Sequence, residues 1–247
     1  MDAEDVTDLE DMKNTIWSTS RLYLRLLETF PNYVQDFQAK WNDWQQGISA
    51  HDPSTWSSVP SFTALTALGP QIIPLVVYQL ALNQNDNTAV HLYTTLETDP
   101  LYLPGSSEVG PPALQILRLS FDRNRAVRNA LADWAEYSEQ VSRHSTSTMY
   151  TECAEYDTLL GFGKSIIPQV MLQYAHDIKA QSGAGVVSAS GIGRGVLFWY
   201  ELLHELVWGC KTGVQTVEFG EMYKRWEAWF QGGGGVEGVP RFGREAA

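Results

Sequence analysis

The strongest constraint on the fold is an internal repeat, in which residues 68–79 recur as residues 162–173. The shared register is an offset of 94 residues, the separation of Gly69 and Gly163. Identical pairs are Gly69/Gly163, Ile72/Ile166, Ile73/Ile167, Pro74/Pro168, Val76/Val170 and Gln79/Gln173, and the similarity extends back through Leu65/Leu159, Phe62/Tyr156 and Trp56/Tyr150. So many matches without a gap indicate a duplicated structural unit.

Each copy of the repeat has the sequence pattern of two helices joined by a tight turn. A glycine supplies the turn, and an Ile-Ile-Pro sequence follows in the first turn of the second helix, where the missing N–H of proline costs little. Such helix pairs stack side by side, and the pattern resembles HEAT-like repeats. We therefore predict an all-α fold, an irregular helical bundle with two HEAT-like helix-hairpin repeats at residues 56–97 and 150–208.

The remaining chain also has helical periodicity. Apolar residues recur near every 3.6 positions before the first copy, between the copies and after the second, where Phe219 to Phe230 form an aromatic face. A length of 247 residues is near the upper limit for one compact domain. We predict a single domain over residues 1–231, with a flexible Gly/Ser-rich loop at 181–195 and a disordered tail at 232–247.

The charge of the chain excludes several classes of partner. A net charge of −12 disfavours nucleic acid, whose binding needs clustered lysine and arginine. No run approaches the roughly 18 apolar residues of a membrane span, and the first twelve residues carry six carboxylates where a secretory signal needs positive charge. We expect a cytoplasmic protein with no nucleic-acid partner and no membrane span, and a homodimer is left open.

Residues 196–208 form the helix that most favours a functional site. Glu201, His204, Glu205 and Trp208 lie at i, i+3, i+4 and i+7, so one polar face interrupts an otherwise apolar helix. This face either meets solvent or lines a ligand pocket. His204 beside Glu201 would be able to transfer a proton if both were partly buried.

Metal and nucleophile motifs are incomplete. His204-Glu205 begins a His-Glu-x-x-His zinc motif, but Trp208 occupies the position of the second histidine. Ser188 and Ser190 lack a Gly-x-Ser-x-Gly frame. We therefore expect no metal and no cofactor.

The two Ile-Ile-Pro segments and the Phe-Trp-Tyr-Glu-Leu-Leu-His helix at 198–204 resemble small helical proteins of fungal natural-product pathways. That group includes a norbornene-forming Diels–Alderase of sordaricin biosynthesis. The resemblance implies a cofactor-independent cyclase or isomerase, a pericyclase of the Diels–Alder type, acting on a hydrophobic polyene or terpenoid intermediate. Holding such a substrate in a reactive conformation can lower the barrier by several kcal/mol.

The aromatic content favours this enzyme hypothesis, because nine Trp, eleven Tyr and nine Phe are many for a helical core. We predict a pocket for a hydrophobic small-molecule substrate. The predicted catalytic residues are His204, Glu201, Tyr200 and Tyr174, and the predicted substrate-binding residues are Trp199, Trp208, Trp41, Trp44 and Tyr78.

The alternative hypothesis is a HEAT-like protein–protein interaction module without catalytic activity, since stacked helix pairs commonly present a surface to partner proteins. The two hypotheses predict different surfaces. A binding module should have an exposed apolar groove, whereas an enzyme should have an aromatic-lined cavity of several hundred cubic ångström.

Overall fold

The computed structural model describes residues 3–48, 52–105, 110–141, 148–183, 198–212, 219–234 and 238–240. Within these ranges the secondary structure is helical, which confirms the predicted all-α class. The chain forms two compact units, Met1–Arg125 (unit 1) and Ala126–Ala247 (unit 2). The single domain over residues 1–231 stays a prediction.

Unit 1 is built from five helices and the first part of a sixth. They are α1 (Ala3–Thr29), α2 (Pro31–Ile48), α3 (Pro60–Thr66), α4 (Ile73–Leu82), α5 (Asn87–Leu96) and α6 (Pro112–Val141), with short 3₁₀ segments at Pro53–Ser58, Pro70–Ile72 and Pro100–Tyr102. Helix α4 packs against α1 and α5, and α2 packs against α1 and α3. Helix α4 is apolar on nearly all sides, which explains its central position.

A buried ion pair joins the end of α5 to α6 in unit 1. The Arg123 guanidinium donates to the Glu97 carboxylate, and both side chains are almost completely buried. The ring of Tyr102 lies 3.7 Å from the Arg123 guanidinium carbon, in cation–π geometry. Two further nitrogens of Arg123, Nε and one terminal nitrogen, have no hydrogen-bond partner among the described residues. The charge on Arg123 is therefore balanced chiefly by Glu97.

Unit 2 contains the rest of α6 and five further helices. They are α7 (Thr148–Thr151), α8 (Ala154–Gly161), α9 (Ile167–Gly183), α10 (Trp199–Trp208) and α11 (Phe219–Gln231), with a 3₁₀ segment at Gly163–Ile166. Helix α9 packs against α10 and α11, and α8 packs against α10. Most of the predicted Gly/Ser-rich loop, from residue 184 onward, lies outside the described residues.

Both copies of the repeat have the same order of elements. A helix (α3 or α8) ends at a glycine turn, a 3₁₀ segment follows, and a longer helix (α4 or α9) begins. Gly69 has φ +78° and Gly163 has φ +66°, a left-handed conformation that side chains rarely adopt. The chain bends by 87° across the turn of the first copy.

Hydrogen bonds that involve side chains are also duplicated. The indole Nε1 of Trp44 donates to the carbonyl of Trp56 at 3.4 Å in unit 1. The indole Nε1 of Trp134 donates to the carbonyl of Tyr150 at 2.9 Å in unit 2. Trp56 and Tyr150 are aligned residues of the repeat, so in each unit an indole from a neighbouring helix donates to the main-chain carbonyl at the same repeat position.

Part of the tail that was predicted to be disordered is in contact with α10. Residues 232–234 and 238–240 are described, and the Trp208 indole donates to the carbonyl of Pro240 at 3.2 Å. Residues 235–237 and 241–247 lie outside the described part of the chain, and the disordered tail over residues 232–247 stays a prediction.

Among the described residues, no single helix combines the length and the apolar character that crossing a membrane requires. One bent pair, Pro60–Thr66 with Pro70–Leu82, meets those two criteria jointly.

Candidate functional site

Two of the four residues on the predicted polar face of α10 are turned inward, whereas Glu205 and Trp208 are partly exposed. Glu201 and His204 are both buried. The Glu201 carboxylate accepts hydrogen bonds from the backbone N–H of Thr212, at 2.8 Å, and from its hydroxyl. His204 Nδ1 lies 2.6 Å from the carbonyl of Cys210, so this nitrogen carries the proton and donates. The solvent-facing alternative for these two residues is therefore wrong.

The two side chains hold the segment that leaves α10. Gly209 adopts the left-handed conformation, φ +71°, and ends the helix. The chain then turns back, and its carbonyl at residue 210 and amide at residue 212 meet His204 and Glu201. Both carboxylate oxygens of Glu201 are thus engaged by one neighbouring residue, Thr212.

Tyr200 and Tyr174 are buried, and each has its pKa raised chiefly by that burial. Both phenols therefore keep their protons at neutral pH and are hydrogen-bond donors. The Tyr174 ring meets Tyr223 edge to face, with centroids 5.0 Å apart. A further phenol on α8, Tyr156, donates to Glu205 Oε2 at 2.9 Å.

Trp199 lies in the aromatic core of unit 2. Its ring meets Trp134 edge to face with centroids 4.7 Å apart, and its Nε1 donates to Asp177 Oδ2 at 2.9 Å. Asp177 also accepts from Gln173, at 2.8 Å. The indole is therefore fixed at both its face and its nitrogen, which gives unit 2 a rigid wall at this position.

A cluster of three rings adjoins this wall, and two of its members, Tyr150 and Phe198, are not among the predicted site residues. Tyr150 stacks on Phe198 with centroids 4.9 Å apart, and Phe198 lies 5.9 Å from Tyr200. We call these three residues the Tyr150 cluster. The Tyr150 hydroxyl is buried and has no hydrogen-bond partner among the described residues. Leaving such a group unpaired costs about 1–3 kcal/mol.

The backbone at Phe198 is unusual. This residue has φ +23°, a value that non-glycine residues rarely adopt and that costs on the order of 1–3 kcal/mol. Phe198 is also only partly buried, whereas Tyr150 and Tyr200 are buried. The ring that covers Tyr150 is therefore the most accessible and the most strained member of the cluster.

An open groove lies along α11 in the same unit. Its volume is about 490 Å³, within the range of small-molecule sites, and it is lined by Arg225, Ala228, Trp229, Gly232, Gly238 and Pro240. Trp208, which was predicted to bind substrate, borders this groove through its bond to Pro240. The groove is not enclosed, so it differs from the predicted closed cavity.

The other predicted substrate-binding residues belong to unit 1. Trp41 and Trp44 are buried, with centroids 5.4 Å apart. Tyr78 stacks on Tyr23 with centroids 3.7 Å apart. The predicted site residues are thus divided between the two compact units.

Comparison with known proteins does not assign a family. No family model, curated protein or solved structure matches this chain significantly.

Proposed function

We propose that the protein is a cofactor-independent cyclase or isomerase of the Diels–Alder type, and that unit 2 holds its substrate against the Tyr150 cluster. The substrate is a hydrophobic polyene or terpenoid intermediate that carries a carbonyl group. The observation that supports this proposal most directly is the buried Tyr150 hydroxyl, a donor without a partner among the described residues.

A carbonyl oxygen supplies the acceptor that this hydroxyl needs. Burial raises the pKa of Tyr150, so the phenol keeps its proton and donates. A hydrogen bond to the carbonyl of an enone withdraws electron density from the adjoining double bond, which makes that bond a better partner for a diene. The bond strengthens as negative charge grows on the oxygen in the transition state, and a low-dielectric site magnifies the effect.

The rings around Tyr150 give the substrate its orientation. Phe198 rotates away from Tyr150, its strained backbone relaxes, and the substrate takes the place of the Phe198 ring over the phenol. Trp199 stays fixed by Trp134 and Asp177 and forms the rigid wall of the site. Holding the diene and the alkene together in this way lowers the activation barrier, because much of the entropy that the reaction would lose is already lost on binding. Glu201 and His204 tie the segment at residues 210–212 to the same helix and so hold α10 in place.

A linear trienone, in which a conjugated diene is tethered to an enone, tests the proposal. We expect the wild-type protein to accelerate its intramolecular cyclisation, followed by loss of diene absorbance. Tyr150→Phe should lower the rate roughly 100-fold, the typical effect of removing one oxyanion donor. Tyr137→Phe on α6 is the matched control and should cyclise the trienone at the wild-type rate. Equal rates for Tyr150→Phe and wild type would remove the basis of the proposal.

The HEAT-like interaction module stays the second candidate function, and one observation favours it. Trp17 and Leu24 lie two turns apart on α1 with 62% and 58% of their surface exposed. Two large apolar side chains on one stripe are what a partner helix contacts in groove recognition. If this stripe mediates a homodimer, native mass spectrometry should show a dimer that the Trp17→Ser, Leu24→Ser double variant loses.

A further inference from the structure

Unit 1 contains a serine and a histidine in direct hydrogen-bond contact. Ser57 Oγ lies 2.8 Å from His91 Nε2. Ser57 belongs to the 3₁₀ segment Pro53–Ser58 and His91 to α5, so the pair joins residues 34 positions apart. Asp52 orders the serine segment, because its side chain accepts from the Ser54 amide at 2.9 Å. The hydroxyl is therefore held against the imidazole by folded structure.

Aromatic rings surround the imidazole. Phe62, Trp56 and Trp44 have their centroids 5.3, 6.0 and 6.5 Å from that of His91. Burial among these rings lowers the pKa of His91, so the ring is neutral at pH 7 and one nitrogen is an acceptor. The contact then has one arrangement that suits catalysis, with the proton on Nδ1 and Nε2 accepting from the Ser57 hydroxyl.

We propose that Ser57 and His91 form a nucleophile–base pair that cleaves small carboxylic esters with an apolar acyl group. Ser57 is exposed, so its oxygen can reach the carbonyl carbon of an ester. The aromatic rings beside His91 supply an apolar surface for the acyl chain. The site belongs to unit 1 and uses none of the residues of the Tyr150 cluster, so it is independent of the cyclase proposal.

The reaction balances without a cofactor. Ser57 Oγ bonds to the carbonyl carbon while its proton passes to His91 Nε2. The bond between that carbon and the ester oxygen then breaks, and His91 returns the proton to the leaving alcohol. Water hydrolyses the acyl-serine by the same two steps, which releases the carboxylic acid and restores the serine.

A second observation points to a ligand at this position. The indole Nε1 of Trp56, the residue before Ser57, is buried and has no hydrogen-bond partner among the described residues. Trp56 is the residue that the repeat aligns with Tyr150, whose hydroxyl is also unpaired. In each copy of the repeat, the aromatic ring at this aligned position thus carries a buried polar atom without a partner among the described residues. This is expected if each copy holds a ligand whose acceptor atom receives that hydrogen bond.

A fluorophosphonate probe and p-nitrophenyl butyrate test the proposal on the full-length protein. The serine oxygen displaces fluoride from the probe, and peptide mass spectrometry identifies the labelled residue. We expect labelling at Ser57, no labelling there in Ser57→Ala, and an ester hydrolysis rate at least 100-fold lower in His91→Phe, which retains an aromatic ring but has no base. Ser58→Ala, which changes the adjoining exposed serine, should behave as wild type.

Circular dichroism and thermal melting show whether each variant is folded. Folded His91→Phe that labels at the wild-type rate would overturn the proposal, as would wild-type protein labelled no faster at Ser57 than at Ser58. If His91→Phe does not fold, His91→Gln takes its place. The same 100-fold loss is then expected, because the amide cannot accept the proton.

Discussion

The carboxylate of Glu201 accepts two hydrogen bonds from Thr212, one from the backbone N–H and one from the side-chain hydroxyl. Both residues are buried, and the paired groups lie eleven positions apart in the chain. A carboxylate that receives two donors in a low-dielectric interior is a strong structural tie. The residue that sequence analysis favoured as a proton-transfer group therefore anchors the chain segment after α10.

Removing this tie should destabilise unit 2. We expect Glu201→Gln to lower the free energy of unfolding by about 1–3 kcal/mol, since one buried donor of Thr212 loses its acceptor. Thr212→Val should cost a similar amount, and the double variant should cost less than the sum of the two single changes. Urea denaturation measures all three. Glu136→Gln, on the exposed side of α6, serves as control, and an equal loss in that variant would argue against the specific tie.

Tyr150→Phe should leave the ligand-free protein as stable as wild type, or more stable by up to about 1 kcal/mol. The hydroxyl that the substitution removes has no partner among the described residues, so the free-energy cost of burying an unpaired polar group disappears. Tyr156→Phe removes a hydrogen bond to the Glu205 carboxylate and should cost about 1–3 kcal/mol. Thermal melting of the two variants side by side gives the contrast. A destabilised Tyr150→Phe would mean that its hydroxyl has a partner in the folded protein.

The turn glycines of the repeat should be sensitive to substitution because of their backbone conformation. A Cβ added at Gly69 or Gly163 meets nothing within 4 Å, so any cost is conformational. We expect Gly69→Ala and Gly163→Ala each to lower stability by about 1–2 kcal/mol. Gly161→Ala also meets nothing within 4 Å but has helical backbone, so it should be neutral or gain up to about 1 kcal/mol. Chemical denaturation of the three variants distinguishes strain from crowding.

Removing one partner of the buried Glu97–Arg123 ion pair should cost more stability than removing both. Arg123→Met leaves the Glu97 carboxylate buried without its main partner and should cost about 3–5 kcal/mol. Adding Glu97→Gln should restore part of that loss, since no unpaired charge then remains. Urea midpoints of the single and double variants provide the measurement. A double variant less stable than Arg123→Met would show that the carboxylate contributes independently of Arg123.

Mild acid should weaken the fold through His91. Its pKa is lowered in the folded protein by burial, so below about pH 6.5 the unfolded chain binds a proton that the folded chain does not yet bind. This contribution to stability is fully present above pH 6.5, falls as the pH drops, and is lost completely below the folded-state pKa. The melting temperature of His91→Phe should therefore fall less than that of wild type when the pH is lowered from 7 to 5.

Much of the fold was predictable because it depends on local patterns. The Gly-x-x-Ile-Ile-Pro segments predicted a turn and a following helix in both copies, and the structure has them at Gly69 and Gly163. The aromatic pairing within each unit was not predictable, since the bond from Trp44 to Trp56 depends on the packing of distinct helices. Periodicity identifies the buried face of a helix but not the residues that will meet it.

The candidate site shows the same limit more sharply. Spacing placed Glu201 and His204 on one face correctly, but their partners at residues 210–212 come from a turn with no helical pattern. The place of Tyr150 in the repeat had a signal that was available in the sequence. It is the residue aligned with Trp56, and at both positions a large ring carries a polar atom. An unpaired hydroxyl becomes visible only when neighbours from several helices are in place.

The matching turns at Gly69 and Gly163 have a consequence for how the chain is produced. Segments with the same path and the same apolar face compete for each other's neighbours while the chain is still open. We therefore expect residues 62–79 of one molecule to compete for the place of residues 156–173 in another, with exchanged, intertwined species as the result. The yield of soluble monomer should therefore be lower after refolding at high protein concentration than after refolding at low concentration.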